Sequence, residues 1–117
     1  EDVRLVFNRK KTLLLFQADA LIEINGQNIT KLSNGSSFYY DMPAGRTNIQ
    51  VHSGWDKTKF SIDLNLIKSK IYEFEIEPNY TGFNNTALWG VLGDIANAKV
   101  KNQGAIFVMS IKNYIDK

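Results

Sequence analysis

The chain has 117 residues, of which 44% are hydrophobic and 12% aromatic, and this composition predicts one folded domain over residues 1–117 and excludes a disordered chain. It contains no cysteine, which excludes disulfides, thiolate catalysis and cysteine metal sites. Its 14 basic and 12 acidic residues leave a net charge of +2, and the scattered basic residues predict no nucleic-acid partner.

The first third of the chain alternates apolar and polar residues, which is typical of short strands. A first strand is predicted at about residues 2–8. The run Arg9-Lys10-Lys11 follows and is expected to cap a surface loop. Thr12 to Ala18 is an apolar run that fits a buried strand or the start of a short helix, and we favour a strand or an irregular extended segment. A strand at 20–24 ends at Asn25-Gly26, the strongest two-residue hairpin signal, which predicts a return strand at 29–32.

Two further turn signals divide the middle of the chain. Asn34-Gly35 predicts a second turn of the Asn-Gly type. The segment 37–42 then alternates as a strand and ends at Asp41-Met42-Pro43-Ala44-Gly45-Arg46. Because Pro43 presets φ and Gly45 tolerates a positive φ, these residues predict a hairpin loop that leads into a strand at 47–53.

The clearest alternation lies between residues 59 and 76. One strand is predicted at 59–66 and the next at 70–76, each with one apolar and one polar face. The polar face of the second strand consists of Glu73, Glu75 and Glu77, about 7 Å apart in successive pairs. A glycosidase needs two carboxylates that face each other across a cleft. We therefore interpret this row as a solvated face, offset by Lys57 or Lys59 on a neighbouring strand.

The last third differs in pattern. Residues 78–86 are rich in turn-forming side chains, and the spacing of apolar residues over 87–99 predicts a short helix or a coiled insert. A last strand is predicted at 104–111, followed by a polar tail at 112–117. The chain as a whole predicts an all-β fold, an antiparallel β-sandwich or partly closed barrel of about seven to nine short strands.

Few residues offer chemistry. His52 is the single histidine, and it falls on the polar face of its strand with no neighbour at metal-ligand spacing, so a solvated surface histidine is expected. None of the common nucleophile, zinc or phosphate-loop motifs occurs. The sequence thus predicts a protein that is not an enzyme and has no cofactor or metal. A sandwich hydrolase remains as an alternative that would need a polar cleft joining His52 to a carboxylate.

Four aromatic residues fall in predicted loops and are the candidate partner-binding residues: Trp55, Tyr80, Phe83 and Trp89. Exposed rings stack on sugars or anchor at interfaces. The competing interpretation is that they fold back and cover the open ends of the sandwich.

The stretch from Ala20 to Pro78 resembles the small PEGA-like β-sandwich domains, and it is especially similar to an uncharacterised family of small bacterial lipoproteins. The matching features are Ile24-Asn25-Gly26, Asp41-Met42-Pro43-Ala44-Gly45 and the strand Lys70-Ile71-Tyr72-Glu73-Phe74. This resemblance implies an immunoglobulin-like or prealbumin-like sandwich in the bacterial cell envelope, at the periplasmic face or the outer membrane. It implies a tether through a lipidated cysteine upstream of Glu1, and we expect that such a segment has been removed.

Two binding hypotheses follow. In the first, a non-enzymatic, lipid-tethered envelope module presents its loops to a protein, a glycan or peptidoglycan. In the second, the chain is a structural subunit of a secretion or envelope complex and binds by β-augmentation. The second hypothesis predicts that the first or last strand, around Leu5 or Phe107, lies at a free sheet edge.

Overall fold

The computed structural model describes residues 2–13, 18–54, 59–79, 99–102 and 105–117, and nine β-strands are the regular elements in these ranges, with no helix among them. The strands are β1 (Val3–Arg9), β2 (Ala20–Ile24), β3 (Gln27–Leu32), β4 (Ser37–Met42), β5 (Gly45–His52), β6 (Phe60–Leu66), β7 (Lys70–Pro78), β8 (Lys99–Asn102) and β9 (Phe107–Asp116).

The strands form two sheets that pack together, which confirms the predicted all-β, sandwich-like architecture. The four-stranded sheet has the order β4-β1-β7-β9, and the five-stranded sheet has the order β3-β2-β5-β6-β8. All pairings are antiparallel except β1 with β7, which run parallel. The parallel pair was not predicted, because period-2 alternation indicates a strand and its buried face but not the direction of its neighbour.

The core lies between the two sheets and consists mainly of the alternate residues that the sequence placed inward, together with consecutive buried residues at the start of β9. Phe7 and Phe74 stack at its centre with ring centroids 5.5 Å apart, on the neighbouring strands β1 and β7. The largest fully buried side chains are Tyr72, Phe7, Phe60, Phe74, Phe107, Leu5, Ile22, Ile49, Ile62, Leu64, Leu66 and Ile76.

Only one of the three turn signals in the first half forms a hairpin. Asn25 and Gly26 have φ values of 51° and 81° and join β2 to β3, its antiparallel partner. The hairpin predicted at Pro43–Gly45 is wrong, since β4 pairs with β1 while β5 belongs to the other sheet. Asn34-Gly35 likewise joins strands of different sheets. A turn sequence bends the chain, but the tertiary packing decides which strand receives the backbone bonds.

The last strand is longer than predicted. β9 continues to Asp116, so residues 112–116 of the predicted polar tail are a strand. The reason is the length of β7, whose first residues pair with the end of β9, Lys70 with Asp116 among them. Glu73 pairs with Asn113 whereas Phe74 pairs with Ile111, so Lys112 is an extra residue in a β-bulge.

Two other predictions fall partly outside the described residues. Of the strand or irregular extended segment predicted at 12–18, the described residues Thr12, Leu13 and Ala18 are not in a strand, and residues 14–17 are not described. The predicted insert at 87–99 is not described except for Lys99, which begins β8.

Arg9 departs most clearly from the sequence interpretation. It was expected at the surface with Lys10 and Lys11, yet it is only 3% exposed. It continues the inward alternation of β1, so its guanidinium enters the end of the core. There it donates to the carbonyl oxygens of Ala18 and Leu32, the latter at 2.8 Å, and its Cζ lies 4.7 Å from the ring centroid of Phe107. Burial lowers the pKa of this guanidinium below its ordinary value.

Candidate functional site

The free edge of β4 is the best-defined binding feature of the described residues. The Arg9 N–H donates to the Ser36 carbonyl at 2.9 Å. Because hydrogen-bonded and non-bonded pairs alternate along an antiparallel ladder, every second residue from Ser36 onward bonds to β1. The residues between them, Ser37, Tyr39 and Asp41, therefore direct their backbone N–H and C=O groups away from the sheet.

The other side of β1 agrees with this assignment. The Lys10 N–H donates to the Ile76 carbonyl of β7 at 2.9 Å, so the even-numbered residues of β1 face β7 and the odd-numbered ones face β4. β1 is paired on both sides over most of its length. The prediction that the first strand, around Leu5, lies at a sheet edge is therefore wrong. The parallel pairing with β7 is the reason, and β4 takes the edge position.

The remaining edge strands of the described sheets are interrupted or short. β3 has a bulge, since Ile22 pairs with Thr30 and Glu23 with Asn28, which leaves Ile29 as an extra residue. β9 has its bulge at Lys112, and β8 is four residues long. Bulges and short length are features that keep edge strands from pairing with other chains. β4 is regular over all six of its residues.

The outward side chains of β4 form a polar and aromatic platform with Arg4 of β1. The Nε and Nη2 atoms of Arg4 donate to the two carboxylate oxygens of Asp41 at 2.8 and 3.0 Å. The Arg4 Cζ lies 4.5 Å from the ring centroid of Tyr39, whose side chain is 61% exposed. The hydrogen bonds from Arg4 hold the pKa of Asp41 below its ordinary value. The platform therefore presents a neutralised ion pair beside an open aromatic ring.

A shallow pocket of about 240 Å³ lies on the same face, and its lining residues are Arg4, Val6, Ser37, Phe38 and Tyr39. The inward residues of β4 remain half-buried although they pack against the core. Two of them, Phe38 and Tyr40, have ring centroids 6.5 Å apart. An added strand would cover this apolar surface as well as the free backbone groups.

His52 belongs to a second cluster, on the outer face of the five-stranded sheet. Its Nε2 lies 2.6 Å from Oε2 of Glu23, and Lys59 Nζ lies 2.7 Å from the same oxygen. The hydrogen bond from Lys59, with a smaller contribution from His52, lowers the pKa of Glu23. The expectation of a solvated histidine is wrong, because the His52 side chain is 13% exposed and packs against this carboxylate. The cluster joins β2 to both ends of the β5–β6 connection.

The row of glutamates on β7 faces outward as predicted, but its partners differ. Lys57 or Lys59 was expected to offset Glu73, Glu75 and Glu77. Lys59 instead lies directly before β6 of the other sheet and pairs with Glu23, and Lys57 is outside the described residues. The cross-strand partners are Asn8 (3.1 Å) and Asn113 for Glu73, Lys112 (3.4 Å) for Glu75 and Lys10 (3.6 Å) for Glu77. Each carboxylate thus has an ordinary surface partner.

The four aromatic residues predicted to bind a partner, Trp55, Tyr80, Phe83 and Trp89, all lie outside the described residues. Their role stays a prediction. In the described ranges no group of three or more His, Cys, Asp or Glu side chains is placed to hold a metal ion. Those ranges also contain no helix that is long and apolar enough to cross a membrane.

The β4 edge was missed by sequence reasoning. Its signal is faint: the strand 37–42 contains no lysine, no internal proline and no glycine, and two tyrosines occupy its centre. Comparison of the chain with models of protein families, with curated proteins and with solved structures found no match.

Proposed function

We propose that this chain is a non-enzymatic protein-binding module of the bacterial cell envelope, and that it takes an extended strand of its partner onto β4. The observation that carries this proposal is the row of backbone groups at Ser37, Tyr39 and Asp41, which face away from β1 on the uninterrupted edge strand. It is the second binding hypothesis from the sequence, which named the first or the last strand. The last strand, β9, does lie at an edge of the four-stranded sheet, and the proposal places the binding edge on β4 at the other side of that sheet.

The chemistry of the edge supports strand addition. Backbone hydrogen bonds supply affinity in this mode, and pockets for alternate side chains supply specificity. The pocket beside Tyr39 and Arg4 has the position needed for a side chain of the added strand. Asp41 is already paired with Arg4, so the edge presents little net charge to an incoming chain.

The envelope setting rests on the PEGA-like resemblance. In this proposal the domain is an immunoglobulin-like or prealbumin-like sandwich, held at the periplasmic face or the outer membrane by an upstream lipid anchor. The two packed sheets are compatible with that class of fold. Tethering would keep the β4 edge close to an envelope protein and raise its effective concentration.

A pair of proline variants tests the binding edge. Tyr39→Pro removes an N–H that faces the free edge of β4. Asp116→Pro does the same on β9, because the Lys117 N–H pairs inward with the Ser69 carbonyl at 2.9 Å and Asp116 therefore faces outward. Neither N–H bonds to another described residue of the domain, so both variants should fold.

The immobilised wild-type chain and both variants are incubated with solubilised envelope protein, and the captured proteins are compared. We expect the Tyr39→Pro variant to lose a captured partner that the wild type and the Asp116→Pro variant retain. Capture by the folded Tyr39→Pro variant at the wild-type level would contradict the proposal.

The Glu23 cluster favours a second candidate, the presentation of a loop to a protein, glycan or peptidoglycan. Glu23 joins His52, at the end of β5, to Lys59, directly before β6, and so fixes the base of the connection that contains Trp55 in the sequence. If this connection binds the partner, Trp55→Ala should abolish capture while Tyr39→Pro leaves it unchanged. Unchanged capture by the Trp55→Ala variant would reject this candidate.

A further inference from the structure

We infer that the strand added to β4 is β4 of a second copy, so that two chains form a symmetric dimer with one continuous eight-stranded sheet. This inference rests on the proposed function, since it names the partner of the same edge. The order of strands across the dimer would be β9-β7-β1-β4 in one copy, followed by β4-β1-β7-β9 in the other. The argument depends on which residues of β4 face one another across a two-fold axis.

The register centred on Tyr39 makes β4 complementary to itself. In this register the outward-facing backbone of Tyr39 bonds to Tyr39 of the second copy, and Ser37 and Asp41 bond to each other in both directions. On the outer face each Asp41 carboxylate then lies opposite a Ser37 hydroxyl, and the two exposed Tyr39 rings adjoin. On the inner face, Phe38 of each copy lies opposite Tyr40 of the other. Aromatic pairs of this kind stabilise antiparallel ladders, and no Asp41 carboxylate meets a like charge across the two-fold axis.

Other two-fold registers are poorer. A centre at Asp41 places two like charges directly opposite each other. A centre at Tyr40 places Ser37 opposite Pro43, which has no N–H to donate. A centre at Phe38 moves Asp41 opposite Gly35, whose φ of +77° ends the extended backbone there. The register centred on Tyr39 therefore pairs the longest stretch of β4 without a conflict.

The half-buried apolar residues of β4 also favour β4 of a second copy as the added strand. Phe38, Tyr40 and Met42 pack against the core but remain partly exposed. In the proposed dimer, Phe38 and Tyr40 of one copy are covered from the side by Tyr40 and Phe38 of the other, and Met42 lies opposite Ser36. The ion pair between Arg4 and Asp41 is retained, so no unpaired charge enters the interface.

Charge substitutions at Ser37 test the register. In the dimer, position 37 of each copy faces Asp41 of the other copy, so every substitution creates two equivalent pairs. Ser37→Lys creates two attractive pairs, and Ser37→Asp creates two repulsive pairs. Both variants lose the same hydrogen bond from Ser37 Oγ to Asn8 Oδ1, so each is the matched control for the other. The dimer dissociation constants of the wild type and both variants are measured by sedimentation equilibrium at low salt.

We expect Ser37→Lys to tighten the dimer by about 2- to 30-fold and Ser37→Asp to weaken it by a similar factor, since each cross-strand pair contributes modestly. High salt should shrink both effects. A wild-type chain that stays monomeric over the whole concentration range, or a dimer that is equally stable in both variants, would overturn the inference.

The failure of this inference is distinguishable from the failure of the proposed function. A monomeric chain from which Tyr39→Pro, but not Asp116→Pro, removes an envelope partner would reject the second copy as occupant and retain β4 as the binding edge. A β4-dependent dimer whose capture of envelope protein is unaffected by Tyr39→Pro would support self-pairing and reject the proposed function.

Discussion

The two edge strands of the four-stranded sheet, β4 and β9, differ in their ability to accept a further strand. β4 pairs with β1 without interruption over six residues, and its free side has an exposed tyrosine and three outward-facing backbone positions. β9 is ten residues long, but Lys112 forms a bulge in its middle, and its last part contains Lys112, Asn113 and Asp116 on exposed positions. One edge is suited to accept a strand, while the other has the features that prevent pairing.

The comparison shows why exposure alone does not identify a binding edge. Ile115 on β9 is 52% exposed, close to the 61% of Tyr39 on β4. The two strands differ in the continuity of the backbone rather than in exposed apolar area. A bulge shifts the direction of the N–H and C=O groups, so an approaching strand cannot bond along the whole edge.

The largest expected effect separates an interior strand from an edge strand. Val6→Pro in β1 removes an N–H that faces β7, whereas Tyr39→Pro removes one that faces solvent. We expect Val6→Pro to lower the free energy of unfolding by about 1–3 kcal/mol or more, because a buried carbonyl loses its donor. The same measurement by urea denaturation should show a small change for Tyr39→Pro. Equal destabilisation by both substitutions would mean that β4 is not a free edge.

Deletion of Lys112 should convert the protected edge into an open one. Ile111 pairs with Phe74 on the inner face and Asn113 pairs with Glu73 on the outer face, so the two residues would alternate correctly once Lys112 is removed. The variant should therefore fold, with the loss of one surface ion pair to Glu75. We expect it to self-associate about tenfold more tightly than the wild type, and this gain should persist when Tyr39→Pro is added. Sedimentation that shows no gain would mean that the bulge does not protect β9.

Tyr72 tests whether packing at the end of β9 affects stability without affecting association through the β4 edge. The Ile67 N–H donates to the Tyr72 hydroxyl oxygen at 2.8 Å, and the ring lies 5.0 Å from that of Tyr114. Tyr72→Phe should cost about 0.5–1.5 kcal/mol of unfolding free energy without any change in association.

The same residue has a pH signature. Burial raises the pKa of Tyr72 from 10.0 to about 12. Because the folded state favours the neutral phenol, its contribution to stability is complete below pH 10.0 and is lost as the pH rises towards about 12. The difference in stability between wild type and Tyr72→Phe should therefore shrink over this range. A stability difference between the wild type and Tyr72→Phe that stays constant over this pH range would contradict the burial of the Tyr72 hydroxyl.

The smallest effect concerns Glu23, which lies on the other sheet and away from both edges under comparison. Glu23→Gln removes the ion pair with Lys59 and should cost less than about 1 kcal/mol at neutral pH. Since the folded pKa of Glu23 is lowered from 4.5, this contribution is present above pH 4.5 and is lost as the pH falls through the lower folded value. Urea denaturation at neutral and acidic pH measures the difference in unfolding free energy between the wild type and the Glu23→Gln variant. If the Glu23→Gln variant also changed the self-association of the chain, residues away from the two edges would contribute to that association.

Much of the fold could be predicted from alternation. The buried faces of β1, β5, β6 and β7 follow the period of two in the sequence, since only one face of each strand is apolar. The pairing of strands could not be predicted. Pro43 and Gly45 mark a change of direction, and nothing local indicates that the chain passes from one sheet to the other there.

The candidate site depends on the pairing of β4 with β1, which the sequence does not indicate. Arg4 and Asp41 are 37 positions apart, and their bidentate contact exists only because β4 lies beside β1. Arg9 was missed for a related reason: its place in the alternation of β1 outweighs its charge once two carbonyl oxygens accept its hydrogen bonds. Edge identity is a property of the whole sheet, so the sequence of β4 by itself does not reveal it.

Amide hydrogen exchange along β4 in dilute solution tests the central claim most directly. We predict an alternating pattern, in which the amides of Ser37, Tyr39 and Asp41 exchange rapidly and those of Phe38, Tyr40 and Met42 exchange slowly. At high concentration the first three should become protected as the edge is occupied. Uniform exchange of all six amides at every concentration would contradict the assignment of β4 as the open edge.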